Sequence, residues 1–164
     1  MIGFPYDDVD GWRGPYPGEV FAGQFEKLAA GWRAGLAELG KAVAKAPPEC
    51  LPAARAELAF ARAAGLHFRS VANQTRFVLA RNALAAAGPA APAATRNALT
   101  EQMRQAAQDE LAVAAELFTL AGADSRIGYE ASNHYYYLPI DLAEKVLNCR
   151  HVLDKLSADG GQGR

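Results

Sequence analysis

Apolar positions recur at steps of three and four along most of this chain, the period of a helix buried on one side. The first stripe joins Phe21, Phe25, Leu28, Trp32, Leu36, Leu39 and Val43 and predicts a helix from Glu19 to Ala46. Pro47-Pro48 ends it, because proline lacks the amide donor and restricts the residue before it. A second pattern covers Pro52 to Ala87. Leu51, Leu58, Gly65, Ala72, Leu79 and Ala86 fall seven apart, and Ala54, Ala61, Phe68 and Thr75 fill the other seam. Unbroken, that helix would be ~55 Å long at ~1.5 Å per residue, so an elongated bundle or a kink near Gly65 is expected. The third helix is expected from Ala93 to Ala121, with Leu99, Met103, Ala106, Glu110, Val113, Leu117 and Leu120 along one side and Gly122 as its C-terminal cap. The fourth runs from Ile140 to Leu156 on Leu142, Val146, Cys149, Leu153 and Leu156. Amphipathic helices on short connections predict an all-α fold, an antiparallel bundle of four main helices.

The ends break this period. Residues 1–18 carry Gly3, Pro5, Gly11, Gly14, Pro15, Pro17 and Gly18 among Phe4, Tyr6, Trp12 and Tyr16, which predicts an irregular aromatic arm pinned by its rings. Asp7, Asp8, Asp10 and Gly11 share the start of a calcium loop but lack its later ligands, including the bidentate Glu, and read as a solvated acidic turn. Residues 19–156 form the helical domain, and the Gly-rich stretch 157–164 is expected to fray.

Composition narrows the class further. A chain of 164 residues fits one domain with a real core. Alanine fills roughly a fifth of the positions while Val, Ile and Thr are scarce, which favours helix over sheet. The net charge of −1, from 17 Lys+Arg against 18 Asp+Glu, gives no electrostatic case for nucleic acid. No apolar run approaches the ~20 residues of a membrane span. The first residues lack a basic leader and an apolar core, so no signal peptide is expected and the chain reads as unexported and cytoplasmic. Cys50 and Cys149 have no partners at zinc spacing and are expected as buried thiols in apolar helical surroundings.

Against this background the segment Asp124–Pro139 stands out, with one Arg, one Glu, one Asn, one His and four Tyr within a few turns of chain. Were it helical, Arg126, Glu130, Asn133, His134 and Tyr137 would share a face through three- and four-residue spacing. A sugar needs that inventory: groups that satisfy hydroxyls in both directions, with flat apolar patches from Tyr129, Tyr135 and Tyr136. Trp12 is the arm residue that could complete such a surface. The plainer reading is a polar knot tying the third and fourth helices, with the tyrosines as core anchors. Glu130 and His134 at i,i+4 are only half a metal site, so no metal and no cofactor are expected.

Arg55, Arg62, Arg69 and Arg76 recur every seven residues along a flank of the second helix. Such a stripe could hold phosphates or an acidic partner. Beside a bundle seam, however, arginines ordinarily pair with carboxylates of the neighbouring helix. No nucleophile elbow, phosphate loop or His-Glu-x-x-His motif occurs, so no catalytic residue is assigned.

Two patches carry a family resemblance. One is Trp12-Arg-Gly-Pro-Tyr-Pro-Gly-Glu-Val-Phe-Ala-Gly-Gln-Phe25 with Gly31-Trp32-Arg-Ala-Gly35. The other is Asp124-Ser-Arg-Ile-Gly-Tyr-Glu-Ala-Ser-Asn-His-Tyr-Tyr-Tyr137, leading into Asp141–Cys149. Together they resemble the helical C-terminal region of large bacterial glycoside-hydrolase-like proteins. That resemblance implies a carbohydrate-associated accessory module, which binds a sugar or packs against a catalytic barrel. The strand–helix alternation of a barrel is absent, so a separated module is implied rather than independent hydrolysis. The competing expectation is a structural or interaction protein that self-associates through its helical seam, with the tyrosine-rich segment inside.

Overall fold

A computed structural model of the chain describes residues 7–130, 134–135 and 137–161. Its elements are α1 (Val9–Trp12), α2 (Gly18–Val43), α3 (Leu51–Ala87), α4 (Ala93–Ala123), β1 (Tyr129–Glu130), β2 (His134–Tyr135) and α5 (Pro139–Gly161). Among the described residues the protein is thus helical apart from one very short hairpin. Prolines mark where the long helices begin. Pro17 and Pro92 are the N-caps of α2 and α4, Pro52 lies in the first turn of α3, and Pro139 opens α5. A proline there sets φ for the helix and forfeits only an amide that has no intrahelical acceptor.

The helices pack in chain order: α2 on α3, α3 on α4, and α4 on α5, while α2 makes no comparable contact with α4 or α5 among the described residues. Arg76 near the end of α3 reaches Glu19 and Glu26 near the start of α2, and Arg62 early in α3 reaches Glu116 late in α4. Alanine dominates the buried positions of α3 and α4, at Ala63, Ala72, Ala80, Ala106, Ala107, Ala114 and Ala121. Small side chains let two helix backbones approach closely.

Helix α3 is continuous through Gly65, where a kink was one expectation. A β-carbon at Gly65 would lie 2.7 Å from Cδ1 of Trp32, so glycine serves close packing of α2 on α3 there. Trp32 is fixed in that notch by its indole N–H donating to the Ala61 carbonyl at 2.8 Å and by an edge contact with Phe68 at 5.1 Å. Gly122 lies within α4 rather than capping it. The helix ends at Asp124, whose backbone is extended and whose amide still donates to the Leu120 carbonyl at 3.1 Å. Helix α5 extends past the expected Leu156 to Gly161, so residues 157–161 belong to a helix, and 162–164 lie outside the described residues.

Two apolar clusters make the core. Ala63, Val113, Leu117, Ala121, Ile127 and Leu142 form one, with Leu66, Leu120 and Tyr137 packed against it. Ala80, Met103 and Leu156 form the other, with Phe77, Leu84 and Val152 against them. Between the two, at the same level on α3, α4 and α5, lies a polar layer.

Candidate functional site

The Asp124–Pro139 segment is not a helix. Asp124 turns the chain out of α4, and its carboxylate accepts the Arg126 amide at 3.0 Å and the Arg126 guanidinium at 2.9 and 2.6 Å. The guanidinium hydrogen bonds hold the Asp124 carboxyl down at about 2, against an ordinary 3.8. Gly128 follows at φ +83°, with the Tyr137 backbone nitrogen 3.0 Å from where a β-carbon would stand. Positive φ and that close approach both require glycine. Strands β1 and β2 then pair antiparallel, with Tyr129 opposite Tyr135 and Glu130 opposite His134. The helical face expected for Arg126, Glu130, Asn133, His134 and Tyr137 is therefore replaced by hairpin register. Glu130 and His134 are still neighbours, but across strands instead of along a helix turn. Asn133 and Tyr136 lie outside the described residues.

Tyr137 anchors the end of this hairpin inside the protein. It is half-buried against the first core cluster, and its hydroxyl hydrogen-bonds Nδ1 of His67 on α3. This bond ties the segment to the second expected helix, whereas the polar knot was expected between the third and fourth. Trp12 is placed elsewhere. The arm is held near the far part of α3 by an Asp7–Arg81 ion pair at 3.0 Å and by Gly18 against Leu79. Twelve to fourteen residues separate those contacts from His67, on the order of 20 Å along the helix, so Trp12 and the hairpin do not share one surface.

The acidic turn and the arginine stripe resolve into structure. The Asp8 carboxylate accepts the Gly11 amide at 3.0 Å and caps α1, and Asp10 pairs with Arg13 at 2.6 Å. Arg62 pairs with Glu116 at 2.6 Å, Arg69 with Asp109 at 2.7 Å, and Arg76 with Glu26 at 2.6 Å and with Glu19. These three of the stripe's four arginines knit α3 to both neighbours. Hydrogen bonds from Arg76 lower the Glu26 carboxyl below its usual range.

The polar layer was not singled out in the sequence. Glu110 occupies an apolar-stripe position of α4 and is only 5% exposed. Its Oε1 accepts from Ser70 at 2.6 Å and pairs with the Lys145 ammonium, and its Oε2 accepts from Asn73 at 3.0 Å. Lys145 also donates to the Ser70 hydroxyl at 3.1 Å, as does Gln74 at 3.0 Å. Every bond here links α3, α4 or α5 to a neighbour or braces one that does. The one signal in the sequence was the carboxylate itself, standing in the Met103–Leu120 stripe.

Beside this layer is a cavity of about 310 Å³ lined by Phe77, Val78, Ala106, Ala107, Val152 and Cys149, with Asn73, Gln74, Glu110, Lys145 and Asn148 at its polar end and the Asp7–Arg81 pair at its margin. Burial, reinforced by Glu110, pushes the Cys149 thiol up. On the His67 side, burial and the nearby Lys145 push the imidazole below its ordinary 6.5, with Glu110 opposing. Both cysteines are free. Cys149 is half-buried, whereas Cys50 is exposed, contrary to the expectation of two buried thiols, because it caps α3 in the exposed α2–α3 connection.

A third feature lies on α2. Its stripe is only partly covered, with Val20 at 45%, Leu28 at 42% and Trp32 at 37% exposed. Lys27, Leu28, Gly31, Trp32, Gly35 and Leu39 line an open groove of about 600 Å³ with Ala61 of α3.

Comparison of the chain with protein-family models, with curated proteins and with solved structures gave no significant match in any of the three. Among the described residues, no group of three or more His, Cys, Asp or Glu is placed to hold a metal ion, and no helix is long and apolar enough to cross a membrane.

Proposed function

We propose that this chain is a helical-bundle interaction protein, antiparallel helices with an aromatic N-terminal arm, that self-associates through the uncovered side of α2. The observation that carries this reading is that, among the described residues, α2 packs chiefly on α3 and leaves Val20, Leu28 and the groove beside Trp32 exposed. Contiguous exposed apolar surface of that kind marks contact sites. The occupant is a second copy because the face is self-complementary in charge. Lys27, Gly31, Gly35 and Glu38 follow at steps of four, four and three and share one side of the helix. A β-carbon added at Gly31 or Gly35 would meet nothing within 4 Å, so another helix can approach closely there. Two such faces crossing antiparallel near these glycines bring Lys27 of each copy toward Glu38 of the other, a two-fold, isologous contact.

Sedimentation of the wild type at about 100 μM should give a dimer, a concentration suited to a modest interface. Lys27→Glu and Glu38→Lys should each weaken it, and the double exchange should restore it. A wild type that is monomeric at that concentration, or charge exchanges that leave the dimer untouched, would refute the assignment.

A second reading is supported by the hairpin. There the exposed Arg126–Asp124 pair offers both donors and acceptors to sugar hydroxyls, and the strand register sets Glu130 opposite His134. It keeps the chain as a carbohydrate-associated module that binds a glycan or packs on a catalytic barrel. Weak glycan binding lost in Glu130→Ala and His134→Ala, with the fold retained, would support it. A blank glycan array together with a blank pull-down would remove it.

A further inference from the structure

Buried charge is the least expected feature of an alanine-rich helical core. A buried carboxylate beside a half-covered ammonium gains little stability over apolar side chains of similar volume, so Glu110 and Lys145 need a reason beyond holding helices together. Their surroundings offer one. The cavity beside them is about 310 Å³, the lower end of the range for small-ligand sites. Its walls, Phe77, Val78, Ala106, Ala107 and Val152, are apolar and come from all three helices. Its polar end is concentrated at one side.

That end has unused hydrogen-bonding capacity. An ammonium has three donors, and Lys145 spends two, on Glu110 and Ser70. A carboxylate offers about four acceptor positions, and Glu110 fills three, with Ser70, Lys145 and Asn73. Among the described residues, one donor of Lys145 and one acceptor position on Oε2 of Glu110 therefore remain. The net charge of the pair is zero, and Arg81 at the margin is likewise matched by Asp7. A charged head group entering here would lose its hydration without finding a counter-charge.

We propose that the cavity between α3, α4 and α5 binds a small, largely apolar molecule carrying one neutral head group that both donates and accepts, such as a primary amide, with Lys145 and Glu110 as its partners. The apolar body lies along Phe77, Val78 and Val152, and the head group replaces water at the ion pair. Cys149 lines the same cavity and makes a native reporter of its occupancy.

The test uses the full chain with Cys50→Ser, so that Cys149 is the only thiol, and follows its alkylation by iodoacetamide by intact mass. The probes are benzamide, benzoate and toluene. Benzamide should slow labelling about fivefold when present at about four times its dissociation constant, since protection follows one plus the ratio of ligand to that constant. Benzoate and toluene should bind at least about tenfold more weakly, a difference of ~1.4 kcal/mol, and so slow labelling by no more than about 1.4-fold at the same concentration. Lys145→Met should abolish the preference for benzamide over toluene. Because that variant could lose its fold, Ala106→Leu provides a second route: it fills the cavity, keeps the ion pair and should remove protection while circular dichroism stays helical. Absence of protection by benzamide up to millimolar concentration overturns the site. Equal protection by benzoate or toluene overturns the neutral polar head group. Protection that survives in folded Ala106→Leu shows that the probe binds elsewhere.

Discussion

At Gly65, one missing side chain sets how closely α2 can approach α3. Replacing glycine by alanine inside a helix ordinarily stabilises by ~1 kcal/mol. Here the new β-carbon would stand 2.7 Å from Trp32 Cδ1 and 3.2 Å from a Leu36 methyl. Trp32 can yield only by giving up its hydrogen bond to the Ala61 carbonyl and its edge contact with Phe68. Overpacking of this kind costs ~1–3 kcal/mol, which outweighs the gain in helix propensity. Gly65→Ala should therefore lower Tm by a few degrees, on the scale of ~2–4 °C per kcal/mol for a chain of this size. Gly23→Ala should raise it, because nothing lies within 4 Å of its added carbon. Thermal melts of the two variants make the comparison, and equal shifts would mean that Trp32 moves freely.

At the scale of the elements, the Glu110 layer fastens three helices at one level between two apolar clusters. The two charges are unequally buried, with 7% of the Glu110 side chain and 28% of the Lys145 side chain exposed. Lys145→Met strands the more buried charge with only Ser70 and Asn73, and should cost ~3–5 kcal/mol. Glu110→Leu leaves an ammonium that can reach water and a neutral amide without its acceptor, and should cost ~1–3 kcal/mol. The double variant should be more stable than Lys145→Met alone, so urea titrations of all four proteins would give a clear coupling energy. Additive losses would show that the two side chains act independently. This layer also marks the limit of periodicity as a guide. Stripes such as Phe21–Val43 located each long helix to within a few residues, because core-facing positions repeat whatever the partner. Glu110 sat in such a stripe and looked like one more turn of it. Its role depends on Ser70 and Asn73, some forty residues earlier, and on Lys145 later in the chain, and no local pattern joins them. The hairpin was missed for a related reason. Glu130 and His134 are neighbours at i,i+4 on a helix and neighbours again across a tight hairpin, so their spacing could not decide between the two. Gly128, at φ +83°, decides it against a helix.

For the whole molecule, the perturbed groups combine into one dependence of stability on pH. His67 titrates below its ordinary 6.5 because burial and Lys145 disfavour the imidazolium. Glu26 titrates below 4.5 because of its hydrogen bonds to Arg76, and Asp124 at about 2 instead of 3.8 because of Arg126. In all three the unfolded chain takes up its proton first as pH falls. The stability they contribute is thus present above the unfolded pKa and lost as pH drops through the folded one. Cys149 has the opposite sense. Burial raises its thiol above 9.0, so the unfolded chain loses that proton first and stability declines once pH rises past 9.0. The expected profile is a plateau from about 6.5 to about 9, a shallow step just below it, and a steeper fall under about 4.5. The step is shallow because His67 keeps an exposed edge. Urea midpoints measured across this range test the shape. His67→Gln should remove the shallow step and leave the acid limb, while Cys149→Ala should flatten the alkaline limb alone. Stability that rose between pH 6.5 and 5 would mean that the imidazolium is favoured in the fold, which the adjacent Lys145 opposes.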